Sequence, residues 1–216
     1  MVKATEISPL DLAALLCSRV CHDIISPVGA INNGLEVLEE DSGGDMQEFA
    51  MELIRKSART ASNKLQFARI AFGAAGSAGA EIDTGDAEKV AQGLMESEKA
   101  SLTWTGTRVL MGKNRVKLML NLLLVANAAI PRGGEIALTI EGAPDAPTFR
   151  FVATGKNARI PADVEARLAG DLELDQLDAH VVQPVYTGML ARACDMSVAI
   201  SVEGETVEVV ARPNAG

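Results

Sequence analysis

The sequence predicts an α+β chain: an N-terminal helical hairpin forming a dimeric four-helix bundle, followed by an α/β sandwich. Three observations predict it. Apolar residues recur every three or four positions through the first 40 residues and again after a short break, the period of helical stripes. A run of small residues, Gly73-Ala74-Ala75-Gly76-Ser77-Ala78-Gly79-Ala80, then interrupts the pattern with nothing to bury. Beyond it, helical stretches alternate with strand-like ones. At 216 residues and 48% hydrophobic content, the chain can bury the core of one large or two small domains.

The first helix is predicted over residues 9–40, with Ser8 as its N-cap and Pro9 in the favoured first position. Its stripe is Leu12, Leu16, Val20, Ile24, Val28, Ile31, Leu35 and Leu38. Asp41-Ser42-Gly43-Gly44 breaks the pattern. The second helix starts near residue 45 and sets Phe49, Leu53, Ala61, Leu65, Ala68 and Phe72 on one face, with Glu48, Glu52, Arg55, Lys56, Arg59 and Lys64 largely elsewhere. Two such helices cannot cover both apolar faces against each other. A symmetric homodimer that completes a four-helix bundle solves this, and the alternative is a hairpin packed on the C-terminal half. The domains are read as 1–74, a helical hairpin for dimerisation, 75–81, a linker, and 82–216, the sandwich.

In the second domain a helix over 86–99 leads to a strand at 102–105 and an apolar helix at 114–130. Pro131-Arg132-Gly133-Gly134 turns into a strand at 135–140, whose hairpin partner is 148–153 after a proline-rich turn. A helix over 181–194 and a final hairpin, 197–202 with 206–211, close the domain.

A net charge of −9, with one Trp and one Tyr, argues against a nucleic-acid surface, which needs clustered cations and stacking rings. No uninterrupted apolar run approaches the ~20 residues that span a bilayer, and the N-terminus lacks an export layout. A cytoplasmic protein without a membrane partner is expected. Cys17, Cys21 and Cys194 form no paired framework, so reduced thiols are expected. Cys17, Cys21 and His22 suggest no fourth metal ligand.

His22 is the candidate reactive residue. It opens the run His22-Asp23-Ile24-Ile25-Ser26-Pro27. With about 100° per residue, position 22 lies about 160° from Val20 and Ile24, nearly opposite the apolar stripe. The imidazole is thus displayed rather than packed. Ser18, Arg19, Ser26 and Gly29, its neighbours along the helix, are polar or small. Ile25, apolar yet off the stripe, fits a partner surface better than solvent. Pro27 cannot donate to the carbonyl of Asp23 and crowds it, so a helix kink is expected just beyond His22. His180 has no comparable context.

His22-Asp23-x-x-Ser26-Pro27 resembles the phosphoacceptor box of histidine kinases, which lies on the first helix of a dimeric hairpin. The second domain extends the resemblance. Asn121-Leu122-Leu123 through Pro131-Arg132-Gly133-Gly134-Glu135 has the spacing of the histidine kinase ATPase (Bergerat/GHKL) domain from its asparagine box to the following strand. The nucleotide chemistry is degenerate. Val125 stands where that family carries a magnesium-binding asparagine, Ala153 where it carries the adenine-recognising carboxylate, and Asn157 in place of a glycine. The stretch 175–182, where the glycine-rich lid motif is expected, has no glycine.

The resemblance therefore implies a histidine phosphotransferase in a bacterial cell-cycle phosphorelay. It would carry phosphoryl groups between receiver-domain aspartates through phosphohistidine at His22, without ATP-dependent autophosphorylation. The implied partners are the receiver of a CckA-like hybrid histidine kinase and CtrA-like and CpdR-like response regulators. No cofactor is expected on this chain, with Mg2+ supplied by the partner receiver. The expected catalytic pair is His22 and Asp23, the acid orienting the ring or standing as an ordinary solvated charge. Ser26 fits a polar positioning role or a small residue that clears space, and Arg19 an attractor for the phosphoryl group or a plain surface charge. Ser18, Arg19, Ile25, Ser26 and Gly29 form the expected partner surface. Two other classes fit the same residues: a histidine kinase with an unconventional ATP site, and a non-catalytic dimeric scaffold or regulator of a two-component system.

Overall fold

The structure is a computed structural model that describes residues 7–40, 44–73, 79–171, 177–179 and 181–214. Residues 41–43 of the break expected at 41–44, most of the small-residue linker and His180 lie outside the described residues. The element order is α1 (Pro9–Glu39), α2 (Gly44–Ala71), β1 (Glu81–Asp83), α3 (Thr84–Met95), β2 (Ala100–Thr105), β3 (Leu110–Gly112), α4 (Lys113–Ala129), β4 (Gly134–Ala143), β5 (Ala146–Thr154), α5 (Val164–Ala169), α6 (Val182–Ala193), β6 (Met196–Glu203) and β7 (Thr206–Pro213). Compared with the expectation, β1, β3 and α5 are additional. Each has six residues or fewer, too short to carry a readable period. Glu81, placed in the linker by composition, begins β1, which pairs with β3.

α1 is capped as expected: the Ser8 hydroxyl accepts from the Asp11 N–H at 3.1 Å. α1 and α2 form the hairpin, and small residues set their contact. A Cβ on Gly34 would lie 2.7 Å from Ile54 Cγ1 and 3.2 Å from the Ala50 carbonyl, so the two backbones approach closely there. On α2 the buried side is Ala50, Ser57, Ala61, Phe67, Ile70 and Ala71. Of the apolar face expected from the sequence, Ala61 is buried within the chain and Leu53, Ala68 and Phe72 are half-buried. Phe49 and Leu65 are exposed, because the close contact with α1 selects small residues, and the larger Phe67 and Ile70 enter the core of the second domain. The alternative of a hairpin packed on the C-terminal half is thus realised in part, through the last turns of α2.

The stripe of α1 is likewise only half covered. The buried residues of α1, Pro27 and Gly34, lie off the stripe, and of the stripe itself Val28 and Leu35 stand exposed while the rest are half-buried. By length and composition α1 could cross a bilayer, and only 6% of its most apolar window is buried within the chain. Arg19, His22 and Asp23 punctuate it, so its apolar residues form no uninterrupted run. Among the described residues, most of that apolar window is left uncovered.

The second domain is a two-layer α/β sandwich. Its five-stranded sheet has the order β2-β4-β5-β7-β6, with β2 and β4 parallel and the other pairs antiparallel. Alternate residues Ile136 and Leu138, Phe149, Phe151 and Ala153, and Val207, Val209 and Ala211 point inward onto α4, and its neighbours α3 and α6 complete the helical layer. α4 is apolar nearly all round and forms the centre of the core. The turn before β4 depends on Gly133, whose φ of 86° and 2.3 Å approach of a Cβ to the Lys99 carbonyl exclude other residues.

Candidate phosphoacceptor site

His22 lies on the open side of α1, as the periodicity predicts, with 59% of its side chain exposed. Ser18, Ile25 and Ser26 are exposed beside it, Ile25 at 69%, and Arg19 and Gly29 are half-buried. The partner surface expected from the sequence is therefore one contiguous strip of the first helix. His22 Nδ1 faces Asp23 Oδ1 at 3.7 Å, longer than a hydrogen bond. The other carboxylate oxygen of Asp23 accepts from Arg19 Nε at 3.0 Å. Arg19 holds the Asp23 carboxylate one turn along, and the carboxylate in turn stands beside the ring.

Pro27 does not interrupt α1, which is helical throughout Pro9–Glu39. What the proline changes is the hydrogen-bond ladder. Residue 27 has no N–H for the Asp23 carbonyl. Lys64 of α2 supplies the donor, its Nζ lying 3.4 Å from Asp23 O. Arg19, Asp23 and Lys64 line a groove of about 340 Å³ between the hairpin and the second domain, closed on the other side by Leu124 and Gln183. Lys64 was not among the residues singled out from sequence. The signal was present, because residue 64 falls opposite 23 in the antiparallel register of the hairpin and the proline announces an orphaned carbonyl.

The residues of the degenerate nucleotide box now have visible roles. Asn121 is fully buried, and its amide Nδ2 donates to the Ala71 carbonyl at 3.0 Å and the Lys117 carbonyl at 2.9 Å. Gln183 Nε2 donates back to the Asn121 carbonyl at 2.9 Å and to Thr187 Oγ1 at 2.9 Å, and approaches Asn121 Oδ1 at 3.2 Å. This closed network ties the end of α2 to α4 and α6, and Phe72 packs near Tyr186 with ring centroids 6.0 Å apart. Val125 and Ala153 belong to the same apolar core. Asn157 keeps a left-handed backbone, φ 63°, so the conformation that a glycine would adopt persists with a different residue. Of the stretch 175–182, residues 175, 176 and 180 lie outside the described residues.

A displayed helical histidine beside an acid, on a hairpin packed against an α/β sandwich, is an arrangement suited to carrying a group on an imidazole nitrogen. A family model for the histidine phosphotransferase C-terminal domain matches residues 84–206. The chain is also 54% identical over 201 residues to protein phosphotransferase ChpT of Brucella abortus (strain 2308), covering 93% of this chain and 95% of that protein. A solved bacterial phosphotransferase superposes with a TM-score of 0.89 at 51% identity, over 97% of this chain and 99% of the other. The chain belongs to the histidine phosphotransferase family. It is a phosphotransfer enzyme of the two-component kind, and receiver domains are its general class of partner.

Proposed function

We propose that His22 is the residue that carries the phosphoryl group. Its exposed imidazole, with Nδ1 turned toward Asp23, supports this reading most directly. With the proton on Nδ1 beside the carboxylate, Nε2 carries the lone pair. That lone pair attacks the phosphorus of an aspartyl phosphate in a donor receiver. The Nε2–P bond forms, the P–O bond to the receiver carboxylate breaks, and the carboxylate leaves with the electron pair. Asp23, held by Arg19, balances the positive charge that the phosphorylated ring carries. In the second half-reaction the carboxylate of an acceptor receiver attacks phosphorus, and the neutral imidazole is the leaving group. The metal for both steps comes with the receivers, whose own acidic pockets bind Mg2+.

In this reading the donor is the receiver of a CckA-like hybrid kinase, and CtrA-like and CpdR-like response regulators are acceptors in a cell-cycle phosphorelay. The strip of Ser18, Arg19, Ile25, Ser26 and Gly29 meets them. Buried Asn121, committed to protein carbonyls, and apolar Val125 and Ala153 favour a relay over an ATP-dependent kinase. The chain works as a homodimer in the cytoplasm. Val28 and Leu35 on α1 and Met46 and Phe49 on α2 are exposed apolar side chains near the closed end of the hairpin. A second copy covers them at lower cost than lipid, into which α1 would have to carry Arg19, His22 and Asp23.

The test is transfer of radioactive phosphate. Wild-type protein takes label from a phosphorylated receiver and none from ATP, and His22→Gln takes none from either while keeping its melting temperature. Labelling of His22→Gln at the wild-type rate, or labelling of the wild type by ATP alone, refutes the proposal.

A further inference from the structure

Pro27 strands the carbonyl of Asp23, the residue next to the phosphoacceptor, in the middle of a continuous helix. A peptide group without its ladder donor is free to tilt toward water, and the turn that carries it loosens. Lys64 meets that carbonyl from α2 at 3.4 Å. Among the described residues, no carboxylate lies within ion-pair distance of its ammonium. A half-buried lysine at a helix contact, directed to a main-chain oxygen rather than an acid, is not explained by ion pairing.

We infer that Lys64 is a positioning residue for phosphotransfer: it replaces the hydrogen bond that Pro27 removes and so fixes the turn bearing His22 and Asp23. The inference rests on the reading of His22 as the phosphoacceptor. It explains how one helix position satisfies two demands. The proline keeps the backbone open beside the reactive ring, and the lysine keeps that opening from becoming disorder. Lys64 acts through the Asp23 carbonyl, and the receiver-facing strip of α1 does not include it. Its loss therefore lowers the rate of transfer and leaves receiver binding in place.

The experiment compares full-length wild type, Lys64→Met, Lys64→Arg, Pro27→Ala and the Pro27→Ala/Lys64→Met double variant in single-turnover transfer from a phosphorylated receiver at varied concentration. Lys64→Met slows the limiting rate by about tenfold, a misplacement effect, with the half-saturating receiver concentration unchanged. Lys64→Arg, which keeps a cationic donor, recovers most of the rate. In the Pro27→Ala background, where residue 27 regains an N–H for the same carbonyl, adding Lys64→Met costs less than about twofold, because the two changes act on one bond and are not additive. The carbonyl 13C resonance of Asp23 moves upfield in Lys64→Met and not in Lys64→Arg.

Equal slowing by Lys64→Met in both backgrounds overturns the inference, since it means that the charge acts on the phosphoryl group directly. So does a wild-type rate in Lys64→Met, or an unmoved Asp23 resonance. If Lys64→Met does not fold, Lys64→Arg decides: loss of the rate with the fold intact overturns the inference, and retention supports it. A wild-type protein that takes no label sinks the relay and this inference together, whereas a labelled wild type with an equally fast Lys64→Met sinks only the role of Lys64.

Discussion

Replacing Asn121 by Ala separates a structural latch from a nucleotide ligand. The side chain is fully buried, and its Nδ2 is the donor at 3.0 Å to the Ala71 carbonyl at the end of α2. The Lys117 carbonyl also sits in the helical ladder of α4, and Gln183 retains the Asn121 main-chain oxygen and Thr187 Oγ1 as partners. The main loss is thus one buried carbonyl, about 1–3 kcal/mol, together with about 1 kcal/mol for the emptied volume. For a chain of this size each kcal/mol lowers Tm by about 2–4 °C, so a fall of roughly 4–16 °C is expected in a thermal melt followed by circular dichroism. Amide exchange should quicken in the last turn of α2, where the latch lets go. Titration with Mg-ATP should give no binding isotherm for either protein. An unchanged Tm, combined with ATP binding in the wild type that Asn121→Ala abolishes, would refute the latch and restore the residue to nucleotide chemistry.

Phe49→Glu on the exposed end of the hairpin should break the homodimer. Removing about 2 kcal/mol of burial from each of two symmetric copies weakens association by roughly 1000-fold, readable by analytical ultracentrifugation, and an unchanged dimer would place the interface elsewhere. Lys117→Met should raise Tm at neutral pH. Burial first, and Lys113 second, push the Lys117 ammonium below the ordinary lysine range, so the native state disfavours the charged form that the unfolded chain carries freely. The gain is therefore full below the folded pKa and shrinks as pH rises through it toward the unfolded value, and melts at several alkaline pH values check the trend.

Long periodic segments were legible in the sequence. α1 begins at the predicted cap, α4 and α6 fall within a residue or two of their predicted bounds, and the strands of both hairpins in the sandwich run longer than predicted without changing partners. His22 was legible for the same reason: its exposure follows from angular position against a stripe. The face of α2 was not. Phe49 and Leu65 look like core by hydropathy, yet the contact with α1 is built on Gly34, Ala50, Ser57 and Ala61, because close backbone approach rewards small residues over large ones. The boundary at residue 74 was drawn by composition, which does not show that Phe67, Ile70 and Ala71, just before it, lie in the same core as residues of α3 and α4.

The sequence by itself determined the long elements, the display of His22 and the apolar residues at 125 and 153, since these depend on local period and residue type. Only the tertiary structure decided which groups meet across elements: Lys64 on the carbonyl that Pro27 strands, and Asn121 on the end of α2. Hydrogen bonds are directional over a few tenths of an ångström. Their partners are therefore fixed by how helices settle against one another, which no periodicity along a single chain segment encodes.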